Sequence, residues 1–327
     1  MIFITGANGL VGSFILRKLL AEGNKIRAIK RPGANLTLIN DIADQVEWVE
    51  GDILDIPLME KSLQDISTVI HSAAIISFDP SQKDLMMKTN VEGTSVLVNA
   101  SLKNNVSKFC FISSIAAIGR KKEQIEITES SVWENSPMNS EYAKSKYLSE
   151  LEVWRGFEEG LNGFIVNPSV VLGPGDWNRG SSKLFRYVWN ENLFYSESEM
   201  NFIDVRDVAD IVSELLKKEI KNQRFILNAG VISYKSLFGL IATAMNKRVP
   251  PFKVNRLVAE LAWRTEFLRS LISGKEPLIT RETAGIARRT FRYKNDKIKN
   301  MLNYNFRELS DTISWTCGEL IGRNVKK

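Results

Sequence analysis

Two hydrophobic patterns alternate along the first two-thirds of the chain. Short runs of consecutive apolar residues predict strands buried on both faces, and the stretches between them, with apolar residues three or four positions apart, predict amphipathic helices. The predicted strands are Met1–Thr5, Lys25–Lys30, Val46–Glu50, Thr68–His71, Lys108–Ser113 and Gly163–Asn167. The predicted helices are Gly12–Glu22, Leu58–Leu63, Gln82–Asn104 and Ser140–Gly156. This alternation predicts an α/β fold with a doubly wound parallel sheet.

The pattern changes after Pro168. The Gly173-Pro174-Gly175-Asp176 stretch breaks regular structure, and the chain beyond it is mostly helical in pattern. We therefore predict a first domain over residues 1–167 and a smaller, mostly helical part over residues 168–327. Within the second part, the apolar run Phe225–Ala229 predicts a strand that returns to the sheet.

Composition and charge exclude several classes of protein. Of 327 residues, 44% are hydrophobic and 25% charged, as in ordinary globular domains. The net charge is +6, but basic residues do not alternate with aromatic ones, so we expect no nucleic-acid partner. No apolar run approaches the ~20 residues that cross a bilayer, and a strand-like segment begins at Met1, so we expect a cytoplasmic protein without a membrane span. The amphipathic stretch Asn255–Ile272 predicts a helix that covers the core or a cleft or, alternatively, lies on a membrane surface.

The chain is poor in the residues that hydrolases and zinc proteins use. It has one histidine, His71, and two cysteines, Cys110 and Cys317. His71 ends an apolar run, which predicts a buried histidine at a strand end, and Cys110 lies within another such run. We therefore expect neither a Ser-His-Asp triad nor a metal site.

A glycine-rich loop joins the first predicted strand to the first predicted helix. Its sequence is Thr5-Gly6-Ala7-Asn8-Gly9-Leu10-Val11-Gly12. Glycine lets backbone N–H groups approach a phosphate, and the helix N-terminus adds partial positive charge. The loop therefore predicts a dinucleotide site in a Rossmann-type domain. The candidate cofactor contacts are Gly6, Asn8, Gly9, Leu10, Val11 and Gly12.

The ends of the second and third strands bear on which cofactor is bound. NAD-binding sheets usually place an acidic residue after the second strand, where it binds the ribose 2′-hydroxyl. Here the chain has Lys30 and Arg31, which suit a 2′-phosphate, so NADP(H) is favoured and NAD(H) is the alternative. Asp52 and Ile53, after the third strand, are candidate contacts for the adenine half.

Candidate catalytic residues lie on later elements. Tyr142 and Lys146 are four residues apart, hence on one face of a predicted helix, and a neighbouring ammonium is expected to lower the tyrosine pKa from about 10. Ser114, after the fifth strand, is placed to bind a reacting carbonyl oxygen, and Ser113 to contact the cofactor. Asn90, on the preceding long helix, is a candidate for a proton or water relay.

The order of these features resembles the extended short-chain dehydrogenase/reductases, also called the NAD-dependent epimerase/dehydratase family. The segments that carry the resemblance further are His71–Ala74, Asn167–Gly175 and Asn201–Ala209. The resemblance implies that Ser114, five residues before Gly119, is the catalytic serine. It also implies that Ala73, Ala74, Pro168 and Val170 contact the cofactor, that the C-terminal part binds substrate, and that Asp204 and Asp207 are structural.

Within this family, the residues favour a reductase that acts on a ketone or aldehyde, or the reverse reaction. Dehydratases carry an Asp-Glu pair where this chain has Ile115 and Ala116, and epimerases often carry an arginine and a histidine where it has Gly175 and Val205. The chain looks closest to the dihydroflavonol reductase and 3β-hydroxysteroid dehydrogenase branch. The alternatives are a sugar-nucleotide epimerase with tightly bound NAD and a non-catalytic NADP sensor.

The expected partners are a small carbonyl or alcohol substrate and a second copy of the chain. The resemblance implies a homodimer formed by the helices that carry Asn90 and Tyr142. Seven aromatic residues are predicted either to line an apolar substrate pocket or to belong to the core. They are Phe78, Trp177, Phe185, Tyr187, Trp189, Phe194 and Tyr195.

Overall fold

The central element is a seven-stranded sheet in which every pair of neighbouring strands is parallel. A computed structural model of the protein describes residues 1–119, 126–136, 139–254 and 291–325. The strands are β1 (Ile2–Thr5), β2 (Ile26–Lys30), β3 (Glu47–Glu50), β4 (Thr68–His71), β5 (Lys108–Ile112), β7 (Gly163–Pro168) and β11 (Gln223–Leu227). Their order in the sheet is β11-β7-β5-β4-β1-β2-β3, so the order reverses between β1 and β4.

Helices pack on both faces of this sheet, which confirms the predicted fold class. One face is covered by α1 (Leu10–Ala21), α7 (Val205–Leu216) and α9 (Asp296–Leu302). The other is covered by α2 (Ile56–Ser62), α4 (Gly93–Lys103) and α5 (Glu141–Glu158). Because both faces are covered, the central strands are largely apolar, and Phe3, Phe109 and Phe111 are fully buried.

The helix predicted over Gln82–Asn104 is interrupted. The structure has α3 (Lys83–Met87), then a π-helical segment over Lys88–Glu92, and then α4. The extra residue of a π-turn rotates the side chains beyond it, and such turns are frequent at functional sites. Asn90 lies in this segment.

The C-terminal part combines helices with small sheets that the sequence analysis did not predict. Strands β8 (Val170–Leu172), β10 (Glu199–Asp204) and β12 (Gly230–Ser233) form a three-stranded sheet. Beside it, α6 (Ser182–Trp189), α8 (Tyr234–Met245) and α10 (Leu309–Val325) form a separate apolar core. Two further strand pairs are β9 (Phe194–Tyr195) with β13 (Phe252–Lys253) and β6 (Glu126–Ile127) with β14 (Arg292–Tyr293).

The structure also tests the strand predicted to return to the sheet and the expectation of no membrane span. The strand predicted at Phe225–Ala229 is β11, which pairs with β7 at the edge of the central sheet. Within the described ranges, no helix has both the length and the apolarity needed to cross a bilayer. The helix predicted over Asn255–Ile272 lies outside the described residues.

Candidate active site

The predicted site residues converge at one edge of the sheet. In the strand register, Thr5 is level with Ile29 and His71, and His71 is level with Phe111. Parallel strands end at the same edge, so the glycine loop, Arg31, the Ser72–Ala74 segment and the Ser113–Ser114 pair all lie along it. This edge includes the place where the strand order reverses, which is where open α/β sheets bind their ligands.

The glycine loop has the geometry of a dinucleotide cradle. Gly6 has φ +68°, and a Cβ atom there would lie 2.7 Å from the Ala73 backbone nitrogen. A Cβ at Gly12 would lie 2.1 Å from the Gly6 carbonyl oxygen. Helix α1 begins at Leu10 with Gly9 as its N-cap and no side-chain cap, so its first N–H groups point out of the helix. These features fit a pyrophosphate, and they distinguish the loop from an ordinary turn.

Lys30, the last residue of β2, and Arg31, which follows it, differ in their charged partners. The Lys30 ammonium is 2.5 Å from the Glu50 carboxylate on β3, so its charge is compensated and it is less available to a phosphate than the sequence suggested. The exposed Arg31 side chain forms no ion pair or hydrogen bond within the described part of the chain. Asn8 of the glycine loop donates to the Asn35 carbonyl at 3.2 Å, which ties the loop to this segment.

The other predicted cofactor residues surround the same edge but differ in exposure. Asp52 is exposed and accepts a hydrogen bond from the Leu54 backbone, whereas Ile53 is buried in the core. Ala73 is half-buried and Ala74 exposed after β4, Pro168 is buried at the end of β7, and Val170 is 36% exposed.

Ser114 and Tyr142 are brought together by β5 and α5. Ser114 Oγ accepts from the Ala116 N–H at 3.1 Å, which leaves the hydroxyl proton free to be donated. This hydroxyl lies close enough to that of Tyr142 to lower the pKa of the phenol. Helix α5 is positioned by Ser140, its N-cap, whose hydroxyl accepts from the Ala143 N–H at 3.0 Å. The two hydroxyls thus lie close together at this edge of the sheet.

The pKa of Tyr142 differs from the sequence expectation. Desolvation by burial raises it to about 12, and the nearby Ser114 hydroxyl only partly opposes this. Lys146 is not among the causes of the shift, so the expectation that it lowers this pKa is wrong for the protein alone. Lys146 is itself desolvated, and its ammonium is hydrogen-bonded to the Ile112 carbonyl.

Lys146 lies one helical turn after Tyr142 and is 2% exposed. Its Nζ donates to the Ile112 carbonyl at 3.0 Å and stands 4.2 Å from the centre of the Phe111 ring. Burial lowers the pKa of Lys146 to about 7, and the nearby Glu150 carboxylate opposes the shift. The predicted pair therefore shares a helix face, with the lysine beneath the end of β5.

Two predicted residues have structural partners. Ser113 was expected to contact the cofactor, but its hydroxyl donates to Glu150 Oε1 at 2.5 Å. The Asn90 side chain accepts from the Ile75 N–H at 2.8 Å and donates to the Ile75 carbonyl and to Ser145. Asn90 therefore ties the segment after β4 to α5, and its polar side-chain atoms are engaged in that link.

His71 is buried, as predicted, and forms part of a hydrogen-bonded chain. Its Nδ1 is 2.7 Å from the Thr5 hydroxyl, and its Nε2 is 3.0 Å from the Thr94 hydroxyl. The Thr5 oxygen accepts from two backbone N–H groups, so Thr5 donates to Nδ1 and the histidine proton lies on Nε2. Burial and the charge of Lys146 lower the histidine pKa to about 3.

Most of the aromatic residues that the sequence left unassigned belong to the C-terminal core. Phe185 is fully buried there, and four others pack against the same cluster. These four are Trp177, Tyr187, Trp189 and Tyr195. Phe194 is 41% exposed beside Phe252. Phe78 is the member next to the candidate catalytic residue Tyr142, with the two ring centres 6.3 Å apart.

Comparisons with known proteins agree with this geometry. A model of the NAD dependent epimerase/dehydratase family matches residues 2–230. A Synechocystis protein that carries the name of a dihydroflavonol 4-reductase is 28% identical over 256 residues, which cover 76% of this chain and 73% of that protein. Cinnamoyl-CoA reductase 1 of Petunia hybrida is 24% identical over 224 residues, 64% of this chain and 66% of that one. The crystal structure of gox2253 superposes with a TM-score of 0.84 at 27% identity, covering 99% and 98% of the two chains.

Proposed function

Since the chain belongs to the NAD-dependent epimerase/dehydratase family, we propose that it is an NADPH-dependent reductase of a ketone or aldehyde. By class it is an NAD(P)-dependent oxidoreductase. The observation that carries the proposal is the proximity of the Ser114 hydroxyl to that of Tyr142, whose pKa it lowers, with Lys146 one turn further along α5. Carbonyl reduction requires a proton donor and a hydroxyl that binds the carbonyl oxygen, and the two must lie close together.

Each side chain has a separate role in this reaction. The nicotinamide, when bound, supplies the hydride that reduces the carbonyl carbon. Ser114 donates a hydrogen bond to the carbonyl oxygen, and Tyr142 transfers its phenolic proton to that oxygen as negative charge develops. Lys146, one helical turn after Tyr142, is placed to hold the nicotinamide ribose. One carbonyl, one NADPH and one solvent proton give one alcohol and one NADP⁺.

The ionisation of Tyr142 supports reduction as the direction at neutral pH. With its pKa raised to about 12, the phenol is protonated and ready to act as an acid. Alcohol oxidation needs the phenolate, which is scarce under these conditions. The relatives named as dihydroflavonol and cinnamoyl-CoA reductases make plant-type aromatic carbonyl compounds the first substrates to test.

The preference for NADPH rests on Arg31. It comes directly after β2, where the ribose of a bound dinucleotide lies, and its guanidinium is free within the described part of the chain. A guanidinium binds a phosphate with two parallel, charge-assisted hydrogen bonds. Its hydrogen bond to a neutral ribose hydroxyl is weaker. Lys30 contributes less because Glu50 compensates its charge.

Purified protein tests this function directly. NADPH oxidation is monitored with a panel of dihydroflavonols, cinnamoyl thioesters and hydrophobic ketones, and the alcohol product is identified. The proposal expects stoichiometric NADPH consumption and an alcohol. Interconversion of sugar-nucleotide epimers without net cofactor oxidation supports the epimerase alternative instead. Tight NADPH binding with no turnover of any carbonyl or sugar nucleotide supports a sensor.

We also propose that the protein is a homodimer whose C-terminal part, after residue 167, binds substrate. Two exposed leucines support the dimer, since Leu85 on α3 is 50% exposed and Leu151 on α5 is 43% exposed. Both lie on the helical layer that family resemblance assigns to the interface. Sedimentation of the wild type should give the mass of two chains, and Leu151→Glu should give one. A monomeric wild type contradicts the proposal.

A further inference from the structure

Glu150 is a buried carboxylate that the proposed reaction does not use. It is 1% exposed and lies on α5, four residues after Lys146 and eight after Tyr142. The spacing places the three side chains on one helix face. A carboxylate in this position loses its hydration, and unpaired burial is unfavourable, so its partners indicate what it does.

Both oxygens of Glu150 are occupied by donors from other strands. Oε1 accepts from Ser113 Oγ at 2.5 Å and from Asn167 Nδ2 at 2.6 Å. Oε2 is 3.3 Å from Arg224 Nη1 on β11. The carboxylate thus joins α5 to the ends of β5 and β7 and to the edge strand of the sheet.

The same contacts lead to the catalytic serine. Asn167 Nδ2, which donates to Glu150, also donates to the Ser114 carbonyl oxygen at 2.9 Å. Ser113, the other donor, immediately precedes Ser114 in the chain. The peptide that carries the Ser114 hydroxyl is therefore held on both sides by groups bonded to one carboxylate.

Arg224 is itself fixed in place. Its Nε donates to the Glu129 carbonyl at 2.7 Å and its Nη2 to the Ser131 carbonyl at 3.0 Å. An arginine held by two backbone carbonyls is a pre-oriented counter-ion, so Glu150 has a defined position. Helix packing alone does not need such a network, because apolar residues of similar volume often serve as well as a buried ion pair.

We propose that Glu150 is a positioning residue, which orients the Ser113–Ser114 segment toward Tyr142 and keeps Lys146 charged. The inference rests on the proposed function. Electrostatics support the second role, because Glu150 raises the pKa of Lys146 against the lowering effect of burial. The other groups near Lys146 are the His71 imidazole on β4, which is neutral, and the Phe111 ring on β5.

The test compares Glu150→Gln with Glu150→Asp. Glutamine keeps the size but removes the charge, so kcat should fall about 10-fold or more, and the alkaline limb of kcat should move about one to three pH units lower. Aspartate keeps the charge but shortens the reach to Ser113 and Asn167. It should lower kcat while the alkaline limb stays in place. KM for the carbonyl should change little in either variant.

The control is Glu152→Gln on the same helix, where the half-buried carboxylate pairs with Arg155 at 3.1 Å. It should leave kcat and the pH profile unchanged. Wild-type kcat and pH dependence in both folded Glu150 variants, with an inactive Tyr142→Phe enzyme, overturn the positioning role and leave the reductase intact. If the glutamine variant does not fold, the aspartate variant decides, and wild-type kcat there overturns the proposal. Full activity in Tyr142→Phe as well refutes the proposed function itself.

Discussion

The Lys146 ammonium is hydrogen-bonded to the Ile112 carbonyl at 3.0 Å, two residues before Ser114. The lysine of α5 is thereby anchored beneath the end of β5, on the strand that leads to the proposed catalytic serine, Ser114. Its charge is held in an apolar setting, with the Phe111 ring 4.2 Å away. This burial lowers the free energy of unfolding, because the folded protein must keep a desolvated ammonium.

We expect Lys146→Met to be inactive and yet more stable than the wild type at pH 6. The folded pKa of about 7 is below the ordinary 10.5, so the unfolded chain binds more protons between these values. Wild-type stability should therefore rise relative to the variant, by up to about 1.4 kcal/mol per pH unit, as pH increases from 7 to 10. Urea unfolding of both proteins at several pH values measures this. A variant less stable at pH 6, with a pH-independent difference, contradicts it.

Removal of the Arg31 guanidinium should reduce selectivity for NADPH. Loss of a charge-assisted hydrogen bond corresponds to about 1.5–3 kcal/mol, hence roughly 10- to 150-fold weaker NADPH binding in Arg31→Ala. NADH binding should hardly change. Titration of both cofactors by calorimetry checks this.

Lys30→Ala is the matched control, because the adjacent ammonium is paired with Glu50. It should weaken NADPH binding less than Arg31→Ala does. Equal affinity of the wild type for both cofactors would rule out the assignment, as would equal effects of the two substitutions.

His71 should remain neutral in the folded protein well into the acid range. Its pKa is lowered to about 3 from 6.5, so the unfolded chain binds the extra proton first as pH falls. This group therefore contributes stability that is present above pH 6.5 and is lost progressively toward pH 3, at about 1.4 kcal/mol per unit. The chain has one histidine, so its imidazole NMR signals are unambiguous. A titration midpoint near 6.5 in the folded state contradicts the hydrogen-bonded chain.

The sequence predicted those features that local patterns determine. Buried parallel strands are largely apolar, so β1 to β5 and β7 were predicted from the sequence. The glycine loop was recognised because close backbone approach restricts residue choice at Gly6 and Gly12. The Tyr142 and Lys146 pair was found from its spacing. Its placement next to Ser114 depends on the way α5 crosses the end of β5, which the structure supplies.

Features that depend on distant partners were missed or predicted wrongly. The Tyr142 pKa was expected to fall, but desolvation outweighs charge in the folded protein. Lys30 meets Glu50 through the register of β2 and β3, which single-strand patterns do not reveal. Glu150 extends the four-residue spacing of Tyr142 and Lys146, so the signal was present in the sequence. Its importance emerged only through its bonds to Ser113 and Asn167.

Single-turnover oxidation of NADPH by wild type and Tyr142→Phe tests the central claim most directly. The substitution keeps the ring beside Phe78 and removes only the hydroxyl near Ser114. With a carbonyl substrate from the panel, hydride transfer should slow about 100-fold or more, while the NADPH dissociation constant stays the same. Near wild-type hydride transfer in the folded variant would contradict the account and leave the glycine loop as evidence of dinucleotide binding alone.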